Sequence, residues 1–329
     1  MAETYSTLAA LFTDIADAIR EKTGATATIV ADDFPDVIRN VLQVKTYLTF
    51  SSPSSFTLKV NDTTKHWDGI LEYSTDTSTW SSWDGTTTLS SATSGSDNVL
   101  YLRGTGNTVI TGKGNKDSYK WVFTGSNITC IGNIENLLDY ATVESGNHPT
   151  MADYCYYYMF YGCTGLTQAP ALPATTLAEN CYAYMFRGCT SLTQAPALPA
   201  TMLAVGCYQD MFYGCTSLTQ APVLPATTLS TYCYSYMFRG CTSLTQIPAL
   251  PATTLVGYCY QYMFQDCSKI KLSSTQTGEY TIAYRIPTTG TGATAVSALY
   301  RIFASTGGTF TESPEINTTY YLSNTNTIV

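Results

Sequence analysis

The chain has little histidine and little charge. It contains two histidines in 329 residues, His66 and His148, which lie in different regions, and charged residues make up 12% of the sequence. Catalytic nucleophiles need a neighbouring base, most often histidine, and no phosphate-binding or dinucleotide-binding glycine motif is present. We therefore predict that the protein is not an enzyme and uses no cofactor or metal. Paired carboxylates such as Glu72 and Asp76 leave glycoside hydrolysis as the alternative.

Basic patches, long apolar runs and an export signal are also lacking. The formal net charge is −8, which disfavours nucleic acid as a partner. No stretch of 18 apolar residues occurs, so no membrane span is predicted. The first 24 residues have no basic leading region and contain Asp14 and Asp17, so they do not predict a signal peptide.

What the chain has in abundance is repetition with a strict period of 26 residues. Two cysteine series keep this step, together with a Met-Phe pair between them: Cys155, Cys181, Cys207, Cys233 and Cys259, then Cys163, Cys189, Cys215, Cys241 and Cys267. A fixed period of this size is typical of stacked repeats that bury their apolar faces against their neighbours.

One copy, residues 181–203, shows how the unit is predicted to fold. The spacing of Cys181, Met185, Phe186 and Cys189 is helix-like and predicts one short helical turn that ends at Gly188. Leu192 begins a run that predicts a short strand, which the following prolines stop.

This pattern resembles the BspA type of leucine-rich repeat, whose motif is apolar-Gly-x-x-Ala-Phe-x-x-Cys-x-x-Leu-x-x-Ile. The matching positions are Cys181, Met185, Phe186, Cys189, Leu192 and Ala195, with Cys and Met as departures, and the resemblance covers roughly residues 150–272. It implies a right-handed solenoid with a parallel ladder of short strands. Degenerate end copies are predicted from Ala298 to Pro314 and from Ile128 to Tyr140.

The eleven cysteines allow three interpretations. Zinc binding would require close pairs and usually histidine. Disulfides would require the two cysteines of a copy to face each other. Since both series occupy positions that the repeat family fills with inward apolar residues, we favour buried free thiols that act as small hydrophobic groups.

Tyrosines dominate the positions between the apolar residues of each copy, and we predict that they point outward. Fifteen of the 26 tyrosines lie between residues 154 and 267, where charged residues are few. Tyrosine offers a large, rigid contact area with a hydroxyl. The predicted ligand-binding residues are Tyr158, Tyr161, Tyr184, Arg187, Asp210, Tyr213, Tyr236, Arg239 and Tyr262. The alternative is that the tyrosines only stack on their own copies.

The first 44 residues predict two short helices that attach or oligomerise. The apolar face of the first helix consists of Leu8, Leu11, Phe12, Ile15 and Ile19, and we predict a homo-oligomer, with a trimer as the expected state. The segments Ile15–Gly24 and Asp32–Ile38 resemble a stretch near the start of tail and structural proteins of phages that infect gut bacteria. This resemblance implies a virion part. Packing against the next domain is the alternative for the apolar face.

Residues 45–126 alternate like strands and predict a small antiparallel β-sandwich. Its tryptophans are interpreted either as carbohydrate-stacking loops or, preferably, as core and turn packing. The fold class is therefore α+β with repeats: short helices in 1–44, the sandwich in 45–126, and a right-handed leucine-rich-repeat-like solenoid in 127–329.

The predicted function is that of a phage virion protein, as a tail fibre or tail-tip protein that binds a host surface glycan or protein. Its expected partners are this receptor and other virion proteins, and its expected location is the virion. The alternatives are a bacterial surface adhesin with BspA-like repeats and a structural head or neck decoration protein.

Overall fold

The structure is a computed structural model that describes residues 47–62, 65–114 and 116–329. These residues belong to one compact unit, Thr46–Val329. The predicted N-terminal helices, their apolar face from Leu8 to Ile19 and the phage-like segment lie outside the described residues. The described chain consists mostly of strands and turns, with two short helices among the described residues, α1 (Lys116–Tyr119) and α2 (Asn136–Glu144). Within it, no helix has the length and apolar character that crossing a membrane requires.

Alternating burial in the first part of the described chain produces two sheets. Their strands are β1 (Leu48–Ser52), β2 (Thr57–Val60), β3 (Ile70–Ser74), β4 (Ser81–Trp83), β5 (Leu89–Ser90), β6 (Ala92–Ser94), β7 (Asp97–Thr105), β8 (Trp121–Thr124), β9 (Ile128–Ile131) and β10 (Leu166–Gln168). One sheet has the order β10-β9-β1-β7-β3-β4, with β6 also on β7, and the other has the order β5-β2-β8. All pairs are antiparallel except β9 with β10. Leu58 and Val60 alternate with half-buried residues along β2, as a strand with one buried face requires.

The repeats are built from consecutive turns, so the predicted helical turn is wrong. In the copy that begins at Cys181, Asn180, Tyr184 and Gly188 have φ values of 52°, 61° and 76°. A left-handed residue at every fourth position prevents the i to i−4 bonding of an α-helix. Instead, the Met185 N–H donates to the Tyr182 carbonyl (N···O distance 3.2 Å), three residues back.

Every second N–H of this turn segment bonds to the next copy. The N–H groups of Tyr182, Tyr184 and Phe186 donate to the carbonyls of Cys207, Gln209 and Met211 at 2.9–3.0 Å. The same register recurs from each copy to the next, so the copies form a stack held by backbone hydrogen bonds. Buried backbone groups need such partners, and in this stack each copy supplies them to its neighbour.

The predicted ladder of parallel strands is reduced mainly to single bridges. Gln194 pairs in parallel with Gln220, and Gln220 pairs in the same way with Gln246. Two residues after each of these glutamines comes a proline, Pro196, Pro222 or Pro248, which has no N–H to extend the pairing.

Other segments continue the stack at its two ends. The strand β9 pairs in parallel with β10, as a strand of a further repeat would, but it also pairs antiparallel with β1. At the other end, the carbonyls of Ala298, Tyr300 and Ile302 accept from the fifth copy at 2.9–3.1 Å. The stack therefore continues into the segment from Ala298, and its assignment as a degenerate copy of the repeat stays a prediction.

The insertion between the fifth copy and the copy at Ala298 forms a small sheet together with a strand that follows the latter copy. The sheet contains β12 (Leu272–Ser273), β13 (Tyr280–Arg285) and β14 (Thr319–Ser323), in the order β12-β14-β13. The strand β11 (Gln246–Ile247) pairs in parallel with β15 (Thr327–Ile328), so the end of the described chain returns to the fourth copy.

Aromatic columns form the core of the stack, and one of them corrects a prediction. The first tyrosine after each leading cysteine was expected to point outward but is at most 1% exposed: Tyr156, Tyr182, Tyr208, Tyr234 and Tyr260. Their rings stack in parallel with centroids 5.4–6.0 Å apart, beside a parallel column of phenylalanines with centroids mostly 5.5–5.8 Å apart. The helix-based assignment placed these tyrosines on the outer face, and the turn geometry turns them inward.

Candidate ligand-binding surface

The predicted ligand-binding residues occupy two neighbouring positions of the repeat. The first, which we term the tyrosine column, contains Tyr158, Tyr184, Asp210, Tyr236 and Tyr262. The second, which we term the alternating column, contains Tyr161, Arg187, Tyr213, Arg239 and Gln265. All nine predicted residues therefore fall on one side of the stack, and apart from Asp210 they are partly exposed.

Left-handed backbone conformations set the direction of the tyrosine column. Its tyrosines have φ between 57° and 61°, and Asp210 has φ 54°. Such φ values are uncommon for a bulky residue and cost roughly 1–2 kcal/mol each. The rings pack in pairs. Tyr158 and Tyr184 have centroids 4.6 Å apart and planes tilted by 35°, and Tyr236 and Tyr262 stack with centroids 4.7 Å apart. Stacking between copies supplies part of the energy that holds this strained backbone.

Arginine and tyrosine follow each other in the alternating column. The guanidinium carbon of Arg187 lies 4.0 Å from the centroid of the Tyr213 ring, and that of Arg239 lies 5.4 Å from the same centroid. These are cation–π distances. The two arginines are therefore held in defined places on a surface that is otherwise poor in charge.

Asp210 is the most buried of the predicted residues. Its side chain is 6% exposed, and its Oδ1 accepts from Arg187 Nη1 at 2.8 Å. Burial raises the pKa of its carboxyl to about 6, although the charge of Arg187 acts in the opposite direction. Arg239 is paired with Asp266 instead, with 3.1 Å between Nε and Oδ2.

A cavity of about 250 Å³ opens at Asp210. Tyr184 and Tyr236 line it from the tyrosine column, and Arg187, Tyr213 and Arg239 line it from the alternating column. Gln209, which was not predicted, also lines the cavity and donates from Nε2 to the Tyr184 hydroxyl at 3.2 Å. The sequence feature that could have predicted Gln209 as a lining residue is its position next to Asp210.

Tyrosines at a third repeat position also stack, away from this cavity. Tyr232 and Tyr258 have φ 60° and lie with ring centroids 4.8 Å apart. Stacking between copies therefore involves buried and partly exposed tyrosines alike, and ligand binding by the exposed ones stays a prediction.

The cysteines are free and buried, which confirms the interpretation as buried thiols. Burial raises the pKa of Cys181 and Cys215 to about 12. From the second copy onward, the second cysteine donates its thiol hydrogen to a phenylalanine carbonyl of the preceding copy, as from Cys189 Sγ to Phe160 O at 3.1 Å. In the described part of the chain, no group of three or more His, Cys, Asp or Glu side chains is arranged to hold a metal ion.

The alternative sites of the first sheets have structural roles. Trp67, Trp83 and Trp121 are at most 3% exposed and belong to the core, whereas Trp80 lies under the guanidinium of Arg103. The two carboxylates considered for glycoside hydrolysis are also engaged: Glu72 accepts from Arg103 Nε at 2.8 Å, and Asp76 accepts from the N–H groups of Ser78 and Thr79.

Comparison with known proteins identifies the repeats. Residues 135–271 match the family model described as "BspA type Leucine rich repeat region", in six copies. No curated protein and no solved structure matched the chain. The match supports the resemblance drawn from the cysteine, methionine and phenylalanine spacing, and it shows that residues 135–271 are similar to repeats of the BspA type.

Proposed function

We propose that this protein is a non-enzymatic binding protein, in which a right-handed solenoid presents the tyrosine and alternating columns to a receptor on a bacterial surface. The observation that carries the proposal is the single face on which both columns meet the cavity at Asp210. Aromatic residues and arginine are the residues that dominate binding hot spots.

We further propose that the protein is a phage tail fibre or tail-tip protein, and that it oligomerises through its predicted N-terminal helices. The resemblance of Ile15–Gly24 to phage tail and structural proteins supports this proposal. A bacterial surface adhesin is the second candidate, and the BspA-type repeat match favours it. Antibody against the repeats distinguishes the two, because it labels purified phage particles in one case and the surface of the encoding cells in the other.

Binding to intact cells tests the surface itself. The variant Tyr184→Asn/Tyr236→Asn/Tyr262→Asn removes three rings while keeping a residue that tolerates positive φ. The control Tyr232→Asn/Tyr258→Asn removes the stacked rings outside the two columns, at a repeat position where Asn180 already has φ 52°. We expect saturable binding to gut bacteria by the wild type and the control, and its loss in the triple variant at a comparable melting temperature. Equal binding by all three proteins would contradict the proposal.

A further inference from the structure

The tyrosine column is interrupted at one place. Four of its five members are tyrosines, and the third is Asp210. Its backbone has φ 54°, close to the 61° of Tyr184 and the 58° of Tyr236, so the chain follows the same path there. At Asp210 the column therefore lacks a ring, although the backbone has the same conformation as at its tyrosine positions.

The missing ring leaves a space of defined width. The two pairs of neighbouring rings in the column, one tilted and one stacked, have centroids 4.6 and 4.7 Å apart. Two such steps place the rings of Tyr184 and Tyr236 roughly 9 Å apart, and one inserted ring needs about 3.5–4.0 Å from each face. The cavity of about 250 Å³ bounded by these two tyrosines is therefore wide enough for a single ring.

The two rings that flank the space, those of Tyr184 and Tyr236, are positioned by contacts within the protein itself. The Tyr184 ring is backed by Tyr158, and its hydroxyl accepts from Gln209 Nε2 at 3.2 Å. The Tyr236 ring is backed by Tyr262 at 4.7 Å. A preorganised site binds with a smaller loss of conformational entropy than one that must be ordered by its ligand.

The polar groups around the space include acceptors and donors. Asp210 supplies a buried carboxylate, and the guanidinium groups of Arg187 and Arg239 supply N–H donors. Asp210 and Asp266 balance the two arginine charges. A fitting ligand is therefore uncharged, has hydroxyls that both donate and accept, and has two apolar ring faces.

From this geometry we propose that the gap at Asp210 is a subsite for one uncharged pyranose ring, held between Tyr184 and Tyr236. This inference rests on the proposed binding function and specifies its ligand. A pyranose whose hydroxyls are all equatorial presents C–H groups on both faces, as two aromatic walls require. An axial hydroxyl makes one face polar, so the gluco configuration is preferred over the galacto configuration. An aromatic side chain would fill the same space but has too few polar groups for the carboxylate and both arginines.

The test uses the full chain and two simple probes, methyl β-glucoside and methyl β-galactoside, with binding followed by ligand-observed NMR. Asp210→Tyr supplies the missing ring and closes the space, while Asp210→Asn keeps the space and removes the charge. We expect the glucoside to bind more tightly than the galactoside, with an affinity loss of about tenfold or more in Asp210→Tyr and a smaller loss in Asp210→Asn. We also expect Asp210→Tyr to fold with a melting temperature near that of the wild type, because stacking on Tyr184 and Tyr236 offsets the strain of positive φ and the lost pair with Arg187.

Other results overturn the inference. Glucoside binding that survives Asp210→Tyr would place the sugar elsewhere, and if this variant does not fold, unchanged binding in Tyr236→Asn would show the same. Binding of tyrosine amide with no binding of either sugar would replace the pyranose by an aromatic side chain. Cell binding without sugar binding would refute this subsite and leave the proposed function intact, whereas the absence of both would refute the two together.

Discussion

At the scale of single residues, Asp210 links stability to pH. Its carboxyl is buried beside Arg187, Arg239, Tyr184 and Gln209, and burial raises its pKa from the ordinary value near 4 to about 6. A raised pKa in the folded state means that folding favours the protonated form. The contribution of this group to stability is thus fully present below about pH 4 and is lost as the pH rises through about 6.

The first prediction follows from that sign. Between pH 4 and pH 6.5, we expect the unfolding free energy of the wild type to fall relative to that of Asp210→Asn, which has no proton to lose at this position. Denaturant unfolding of both proteins across this pH range measures the difference. Parallel pH profiles for the two proteins would show that the carboxyl does not titrate in this range.

Thiol chemistry gives a second prediction at the same scale. All the described cysteines are buried, and burial raises the pKa of their thiols, as it does at Cys241. Because the reactive species is the thiolate, we expect no cysteine of the repeats to react with iodoacetamide in the native protein at pH 8. Complete labelling should appear only with unfolding in denaturant. Mass spectrometry counts the labels, and rapid labelling of a repeat cysteine without unfolding would contradict the expectation.

At the scale of the repeat, positive φ at every fourth residue determines the local structure. Gly188, Gly214 and Gly240 have φ of 72–76°. A Cβ on Gly214 would find only ordinary contact, 4.0 Å from the Gly188 Cα. Space is therefore available, and the backbone conformation alone opposes a side chain there.

The third prediction isolates this conformational term. We expect Gly214→Ala to lower the unfolding free energy by about 1–2 kcal/mol, and Gly214→Asn to lower it less, because asparagine adopts positive φ more readily. Chemical denaturation of the three proteins gives the comparison. If alanine and asparagine have equal effects, the cost arises from volume and not from φ.

The same element shows what the sequence could and could not predict. The strict period identified the repeats, and the positions of Met185, Phe186 and Cys189 identified their buried face, because each recurs unchanged from copy to copy. The spacing of these residues also fits one helical turn, and nothing in it reveals that Tyr184 has a left-handed backbone. The burial of Tyr182 was missed for the same reason, since its direction depends on turns that apolar spacing does not determine.

At the scale of the whole molecule, the stack is a series of nearly equivalent units, and the candidate site depends on the order of those units. Asp210 forms a gap in the tyrosine column only because tyrosine rings flank it in the copies before and after. Stability in such an array is approximately a sum of repeat and interface terms, so one unit can be removed without abolishing the fold. Deleting whole copies therefore separates the contribution of a repeat to stability from its contribution to the site.

The fourth prediction compares two deletions of one period each. Deletion of residues 203–228 removes Asp210 and brings Tyr184 directly against Tyr236, so the tyrosine column becomes continuous. Deletion of residues 229–254 keeps Asp210 and places Tyr262 where Tyr236 stood, so the gap remains between two rings. We expect both proteins to fold with similarly lowered melting temperatures, and only the second to retain glucoside binding, weakened by the loss of Arg239. Thermal melts and ligand-observed NMR give both readouts. Retained binding in the first protein would mean that the surface recognises its ligand through the repeats in general and not through the gap at Asp210.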